Sequence, residues 1–179
     1  KMTMMDHVRR FRCLLTISVA CSYSVIVATP PEIIVQTDCV IKENDSGEIV
    51  DIDLSDRTLS ESLITALTKL PKLSVLRLRR TSISDEQLGR FITLKLRMID
   101  LRNTNITDDG LVHLAKMKSL VDIQLEKSKV TDIGIQRLSG LNLKSFNANY
   151  CTSISNRSLA VLAAMPSMEQ IQLDYTKIN

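Results

Sequence analysis

The chain has 179 residues, of which 44% are hydrophobic and 3% aromatic, and a formal charge of +3 at neutral pH. That length suits one domain with a short appendage. With no Trp and three each of Phe and Tyr, the core has to be assembled from Leu, Ile, Val and Met in many thin, similar layers. The charge excess is local. Residues 1–28 hold four of the 23 basic and one of the 20 acidic residues, so the remainder carries 19 of each. A neutral body without a basic tail gives no electrostatic reason to expect a nucleic-acid partner.

Residues 1–28 read as an export segment. Arg9, Arg10 and Arg12 form a basic start, Cys13 to Ala28 is an apolar run, and Pro30-Pro31 stops any helix. A bilayer span needs about 20 residues, so the shorter run here suits a signal-peptide core, cleaved after Ala28 or Ala20. An uncleaved anchor, lipidation at Cys21 and a buried helix are the alternatives. Export would place the protein in a periplasm, at a cell surface or outside the cell, and a membrane would be touched only through this segment. Cys39 and Cys151 remain beyond it, with no CxxC or Cys/His metal spacing.

Residues 29–49 predict a linker and a hairpin. Cys39 to Glu43 and Glu48 to Ile52 are two strands about the polar turn Asn44-Asp45-Ser46-Gly47. Residues 50–179 then repeat with a period of 23 to 25. Leu54, Leu78, Leu101, Leu125, Ala148 and Leu173 share one position, and Ile52, Leu76, Ile99, Ile123, Phe146 and Ile171 stand two residues earlier. Apolar residues two apart place one strand face inward. Each copy continues with apolar residues three apart, as in Leu111 and Leu114 or Ile135 and Leu138, which marks a helix face. Ser84, Thr107, Thr131 and Ser155 are the expected N-caps, with Ser84 and Gln87 at capping-box spacing. A strand, a turn and a helix in about 24 residues make one coil of a solenoid, whose apolar side is buried only by its neighbours. The sequence stops at Ile178-Asn179, which predicts an unfinished last coil with an open edge available to a partner or a second copy.

The copies resemble the leucine-rich repeat, best in Leu96-Arg97-Met98-Ile99-Asp100-Leu101-Arg102-Asn103-Thr104-Asn105-Ile106-Thr107-Asp108-Asp109-Gly110-Leu111. The Thr-x-Ile-Thr-Asp wording is similar to short extracytoplasmic bacterial members of that family. The resemblance implies an α/β solenoid of five to six coils, with a curved parallel sheet on the concave side and helices on the convex side. It also implies that the hairpin caps the first coil. Where many members carry Asn after the strand, this chain has Thr81, Thr104, Ser128, Cys151 and Thr176. In the family that position hydrogen-bonds backbone in the turn, which a hydroxyl can also do.

Outward strand positions predict three columns on the concave face. The first is Asp53, Arg77, Asp100, Gln124, Asn147 and Gln172; the second is Ser55, Arg79, Arg102, Glu126, Asn149 and Asp174. The third, at the strand ends, is Asp56, Arg80, Asn103, Lys127, Tyr150 and Tyr175. Arg and Tyr are enriched at binding hot spots. The basic cluster Arg77, Arg79, Arg80 and Arg102 with Asp100, and the amide-rich stretch Gln124, Glu126, Asn147, Asn149 and Gln172 beside Tyr150 and Tyr175, are therefore the candidate contact residues. The competing reading is charge neutralisation among Asp53, Arg77 and Asp100 on adjacent strands.

Catalytic, metal and cofactor sites are not expected. Cys151 has no nearby His, since His7 lies in the leader and His113 on a helix two coils away. Asp85, Asp108 and Asp132 recur with the coil, which suits charge at helix N-termini better than a metal. The expected function is non-enzymatic binding of a protein, with a glycan as a second ligand class. The alternatives are an accessory repeat domain of a larger receptor-like assembly and, more remotely, a hydrolase.

Overall fold

A computed structural model describes residues 8–10 and 31–179; the rest of the expected leader lies outside the described residues. A short strand β1 (Val8–Arg10) and a helix α1 (Glu32–Gln36) precede an antiparallel hairpin, β2 (Val40–Glu43) and β3 (Ile49–Asp53). Five further strands follow, alternating with helices: α2 (Glu61–Leu67), β4 (Val75–Arg77), α3 (Asp85–Gly89), β5 (Met98–Asp100), α4 (Asp108–Leu114), β6 (Asp122–Gln124), α5 (Asp132–Arg137), β7 (Ser145–Asn147), α6 (Asn156–Ala163) and β8 (Gln170–Gln172). The strands form one sheet in sequence order, parallel from β3 to β8. The register sets Ile52, Leu76, Ile99, Ile123, Phe146 and Ile171 side by side, as the repeat alignment predicts. This is the expected α/β solenoid. Among the described residues, no helix is long and apolar enough to cross a membrane.

The core is a stack of layers, each supplied by one coil. The two inward strand columns, Ile52 to Phe146 and Leu54 to Ala148, are fully buried, and so are Leu88, Leu111, Leu114 and Ile135 from the helices. At roughly 1.5–3 kcal/mol per buried aliphatic side chain, this stacking outweighs every polar contact in the molecule. The fourth repeat replaces the inward Leu by Ala148 and carries Phe146 two residues earlier, and both are fully buried. A large residue beside a small one keeps the layer filled. The helix α1 was not expected from sequence. Its Ile34 is fully buried and joins the core ahead of the first repeat.

Polar links tie coil to coil where each helix begins. Ser84, Thr107, Thr131 and Ser155 are N-caps, and Ser84 with Gln87 completes the capping box. The Asp that follows each cap serves the next coil as well. Asp85 accepts from the Thr107 amide at 3.0 Å and its hydroxyl at 2.6 Å, and Asp108 accepts from Thr131 in the same way, at 2.8 and 2.6 Å. Asp132 accepts from Ser155 and also from the Ser158 hydroxyl. Burial alone would raise the Asp132 carboxyl, but the bonds from Ser155 and Ser158 outweigh it and hold it below the ordinary value. Room for these carboxylates comes from Gly110 and Gly134, where an added Cβ would run into Asp85 and Asp108 respectively. Ser158 occupies the equivalent place in the next coil and bonds the carboxylate instead.

Replacing Gly110 or Gly134 by Ala should therefore lower unfolding stability by about 1–3 kcal/mol through overpacking against the clamp. Gly140→Ala, which meets only the Lys118 ammonium at 3.4 Å, should be nearly neutral in the same thermal melt. The clamp also predicts an acid response. A carboxyl lowered in the folded state contributes stability above its unfolded value, near pH 4, and loses that contribution as pH falls through the folded value. Asp132→Asn should cost about 1 kcal/mol at neutral pH and flatten the loss of stability below about pH 4, read from urea unfolding at each pH.

Candidate protein-binding face

The outward columns fall where the repeat places them. Asp53, Arg77, Asp100, Gln124, Asn147 and Gln172 are in register across β3 to β8. The row beyond them is tied by backbone bonds, as the amides of Asp56, Arg80, Asn103, Lys127 and Tyr150 donate to Arg79, Arg102, Glu126, Asn149 and Asp174 of the following coils. These five residues and Tyr175 all have positive φ, from 53° to 63°. That backbone costs roughly 1–2 kcal/mol for a residue with a Cβ, less for Asn and Asp. It recurs because each amide must turn toward the next coil's carbonyl. The sequence gives no warning of it at Arg80, Lys127, Tyr150 and Tyr175, none of which is a Gly or an Asn.

The charges pair differently from the expected neutralisation of Asp53, Arg77 and Asp100. Arg77 reaches diagonally to Asp51, a buried carboxylate that Lys42 approaches at 3.8 Å. Asp53 accepts from the Ser55 amide at 2.9 Å. Asp100 turns to its own strand and takes Arg102 through Nε at 2.9 Å and Nη2 at 2.6 Å, which pushes the Arg102 pKa up. Arg80 grips Asp56 through two nitrogens and holds that carboxyl below its usual range. Asp51 escaped the sequence reading because it lies one outward position before the charged column. Lys42 opposite it on the hairpin was the available signal.

Arg79 is left over. Its side chain makes no hydrogen bond or ion pair among the described residues. It borders a shallow depression of about 310 Å³ together with Asp53, Ser55, Arg57, Arg77 and Arg102. Two of the predicted contact residues sit too deep to meet a partner. Asp100 is 1% exposed and Asn147 5%, because both are held beneath neighbours on the same face. Asp100 orients Arg102, while Asn147 donates to Gln124 at 3.0 Å and accepts from the Asn149 amide at 2.9 Å. Gln124 in turn donates to Asp122. They support the face instead of forming its surface.

Farther along, Tyr150 and Tyr175 stack with ring centroids 4.4 Å apart and planes 7° apart, and the Lys127 ammonium lies 5.0 Å from the Tyr150 ring centroid. Tyr175 is 71% exposed. Burial under its neighbours and the Tyr175 hydroxyl push the Tyr150 pKa up. Glu126, Asn149 and Gln172 lie partly exposed beside this stack. The face therefore has an arginine end and a tyrosine–amide end.

The Cys151 thiol is buried, donates to the Leu125 carbonyl at 3.2 Å and is pushed to higher pKa by that burial. Thr81, Thr104 and Thr176 at the equivalent positions bond carbonyls of their own coil. Among the described residues no group of three His, Cys, Asp or Glu could hold a metal. Cys151→Thr should consequently melt within about 1 kcal/mol of the parent, and Cys151→Ala, which drops the bond to Leu125, should lose about 1–2 kcal/mol in the same assay.

No family model matches the chain, and no curated protein matches its sequence. Solved structures do. Internalin C2 of Listeria monocytogenes superposes with a TM-score of 0.51 at 23% identity, over 66% of this chain and 51% of that one. Internalin F of the same organism gives 0.50 at 17% identity, over 82% and 45%. The LRR ectodomain of an Arabidopsis thaliana membrane receptor kinase, GASSHO1/SCHENGEN3, gives 0.46 at 9% identity, over 77% and 17%. The chain spans about half the length of the internalins it matches. Six parallel strands in one register, a coil of about 24 residues and the architecture shared with the internalins give this chain a leucine-rich-repeat fold.

Proposed function

We propose that the protein is a non-enzymatic binding module whose concave face takes a protein partner. The observation that carries this reading is Arg79. Its neighbours Arg77, Arg80 and Arg102 are each committed to a carboxylate, whereas Arg79 presents an unengaged guanidinium inside a depression. A side chain with five donors and a planar fork that the fold does not use is available to an acidic group on a partner. The stacked Tyr150 and Tyr175 and the exposed parts of Gln124, Glu126, Asn149 and Gln172 extend the contact along the curve. Extended concave surfaces are how solenoids bind.

The first 28 residues are proposed to direct export. Cleavage after Ala28 would remove β1 and leave β2 as the outer strand, with the β2–β3 hairpin capping the first coil. A second reading, an accessory repeat domain of a larger assembly, draws on the chain covering only 51% and 45% of the internalins.

Affinity capture from native extract tests the first reading, with the parent, Arg79→Glu and Lys118→Glu as baits. A partner retained by the parent and by Lys118→Glu but reduced more than tenfold by Arg79→Glu is the expected outcome, since a desolvated charge contact is worth about 2 kcal/mol or more. Equal recovery on all three baits would remove the concave arginine end from the binding site.

A further inference from the structure

The neutral body conceals a sorted charge distribution. In a solenoid the chain passes from strand to helix along one edge and from helix back to strand along the other. Four of the five returning segments, 68–74, 90–97, 115–121 and 141–144, contain no Asp or Glu, and the fifth, 164–169, holds Glu169. They place Lys72, Lys95, Arg97, Lys118 and Lys144 along one edge, all exposed. Lys69 and Lys116 add to the row just after the C-caps Thr68 and Ala115. The opposite edge, where the helices begin, carries Glu61, Asp85, Glu86, Asp108, Asp109 and Asp132.

Helix polarity accounts for part of this sorting. Short parallel helices favour acids at their starts and cations at their ends, which explains Lys69 and Lys116. It does not explain the others, which lie beyond the last helical turn, because the effect fades within that turn. Nor does pairing explain Lys72, Lys95 and Arg97. Lys144 meets Glu169 at 2.7 Å and Lys118 lies 3.4 Å from the Gly140 carbonyl, while Lys72, Lys95 and Arg97 have no side-chain partner among the described residues. Unpaired like charges repeating at each coil repel one another and cost stability. The fold carries that cost at Lys72, Lys95 and Arg97.

We propose that this edge binds a linear acidic polysaccharide lying along the solenoid axis. Successive coils are stacked at the inter-strand spacing of about 4.8 Å, so cations recur along a line of about 15 Å at intervals comparable with the advance of one sugar ring. A polymer with one carboxylate or sulfate per sugar meets that row in register. The edge lacks the features of the other polyanions. Ile92 is its sole exposed large hydrophobic residue among those described, whereas docking to a bilayer uses an apolar face with ring anchors. It has six Lys to two Arg, of which Arg90 is paired with Glu61, and no exposed aromatic ring, whereas single-stranded nucleic acid is held by stacking platforms. This site is separate from the concave face and stands whether or not Arg79 binds a partner.

The test uses the full chain on immobilised dextran sulfate, eluted with a salt gradient, with uncharged dextran and phosphatidylglycerol vesicles as parallel probes. The edge variant Lys72→Gln/Lys95→Gln/Lys118→Gln is compared with Lys129→Gln/Arg157→Gln/Lys177→Gln, which removes equal charge from the opposite edge. Both sets are exposed, and unchanged melting of each variant is checked first. The edge variant is expected to lose more than tenfold in affinity, with the slope of log affinity against log salt reduced by roughly two to three. The opposite-edge variant should elute close to the parent. Co-elution of the two variants, or retention by vesicles to higher salt than by dextran sulfate, would overturn the proposal.

Discussion

A single coil of this chain cannot shield its own apolar side, and that constraint governs everything else. Each strand region turns two side chains inward and each helix between one and four, so a coil alone is a flat object with one wet and one oily surface. Stacking in parallel register converts the oily surfaces into one core. Register is strict, because a shift by one residue would send Ile99 and Leu101 outward and Asp100 inward. The clamps between Asp85, Asp108 or Asp132 and the next coil's cap lock that register from the helix side. Their position explains the two buried glycines. Gly110 and Gly134 leave space for a carboxylate that belongs to the preceding coil, so the Asp and the Gly form one feature spread over two repeats.

The same stacking sets the character of the outward strand face. Parallel register brings each outward residue beside the equivalent residue of its neighbours, and charges then settle within or between adjacent strands. Arg77 with Asp51, Arg80 with Asp56 and Arg102 with Asp100 are local solutions of that kind. Only the Arg80–Asp56 pair is exposed on both sides and so a weak stabiliser, but all three pairs fix where the guanidinium groups point and withdraw them from other partners. In such a setting an unpaired arginine carries more information than a cluster of arginines. The left-handed turn works similarly. By repeating one unfavourable backbone state at Lys127, Tyr150 and Tyr175, the stack aligns their side chains so that two rings and an ammonium lie one above another.

The parts of this architecture that repeat were legible in the sequence, and the parts that depend on a single side chain were not. Period, strand centres, helix starts and the capping box at Ser84 follow from spacing, because the physics of a strand face or a cap is local to a few residues. The concave columns were also correct in register. Depth within a column was not legible. Asp100 and Asn147 share their column with the half-exposed Arg77 and Gln124, and only the packing of Arg102 and Asn149 over them decides that they are buried. Ion-pair choice was equally hidden, since Asp51 and Asp53 lie at alternate outward positions and both face Arg77's strand. The helix α1 is five residues long, too short for periodicity to reveal.

Net charge is the quantity that misleads most in a molecule of this shape. For a compact globule, equal numbers of acids and bases dispersed over a sphere leave little field anywhere. A solenoid instead assigns each sequence position to a fixed line along its length, so a small compositional bias at one position of the repeat accumulates into a charged edge. Screening at physiological salt acts over about 8 Å, which spans more than one inter-coil spacing but less than the width of a coil. Charges along one edge therefore act together, while the acidic edge across the molecule does not cancel them. The relevant charge is that of each line of the solenoid, and the line through Lys72, Lys95 and Lys118 is basic in a body whose total is zero.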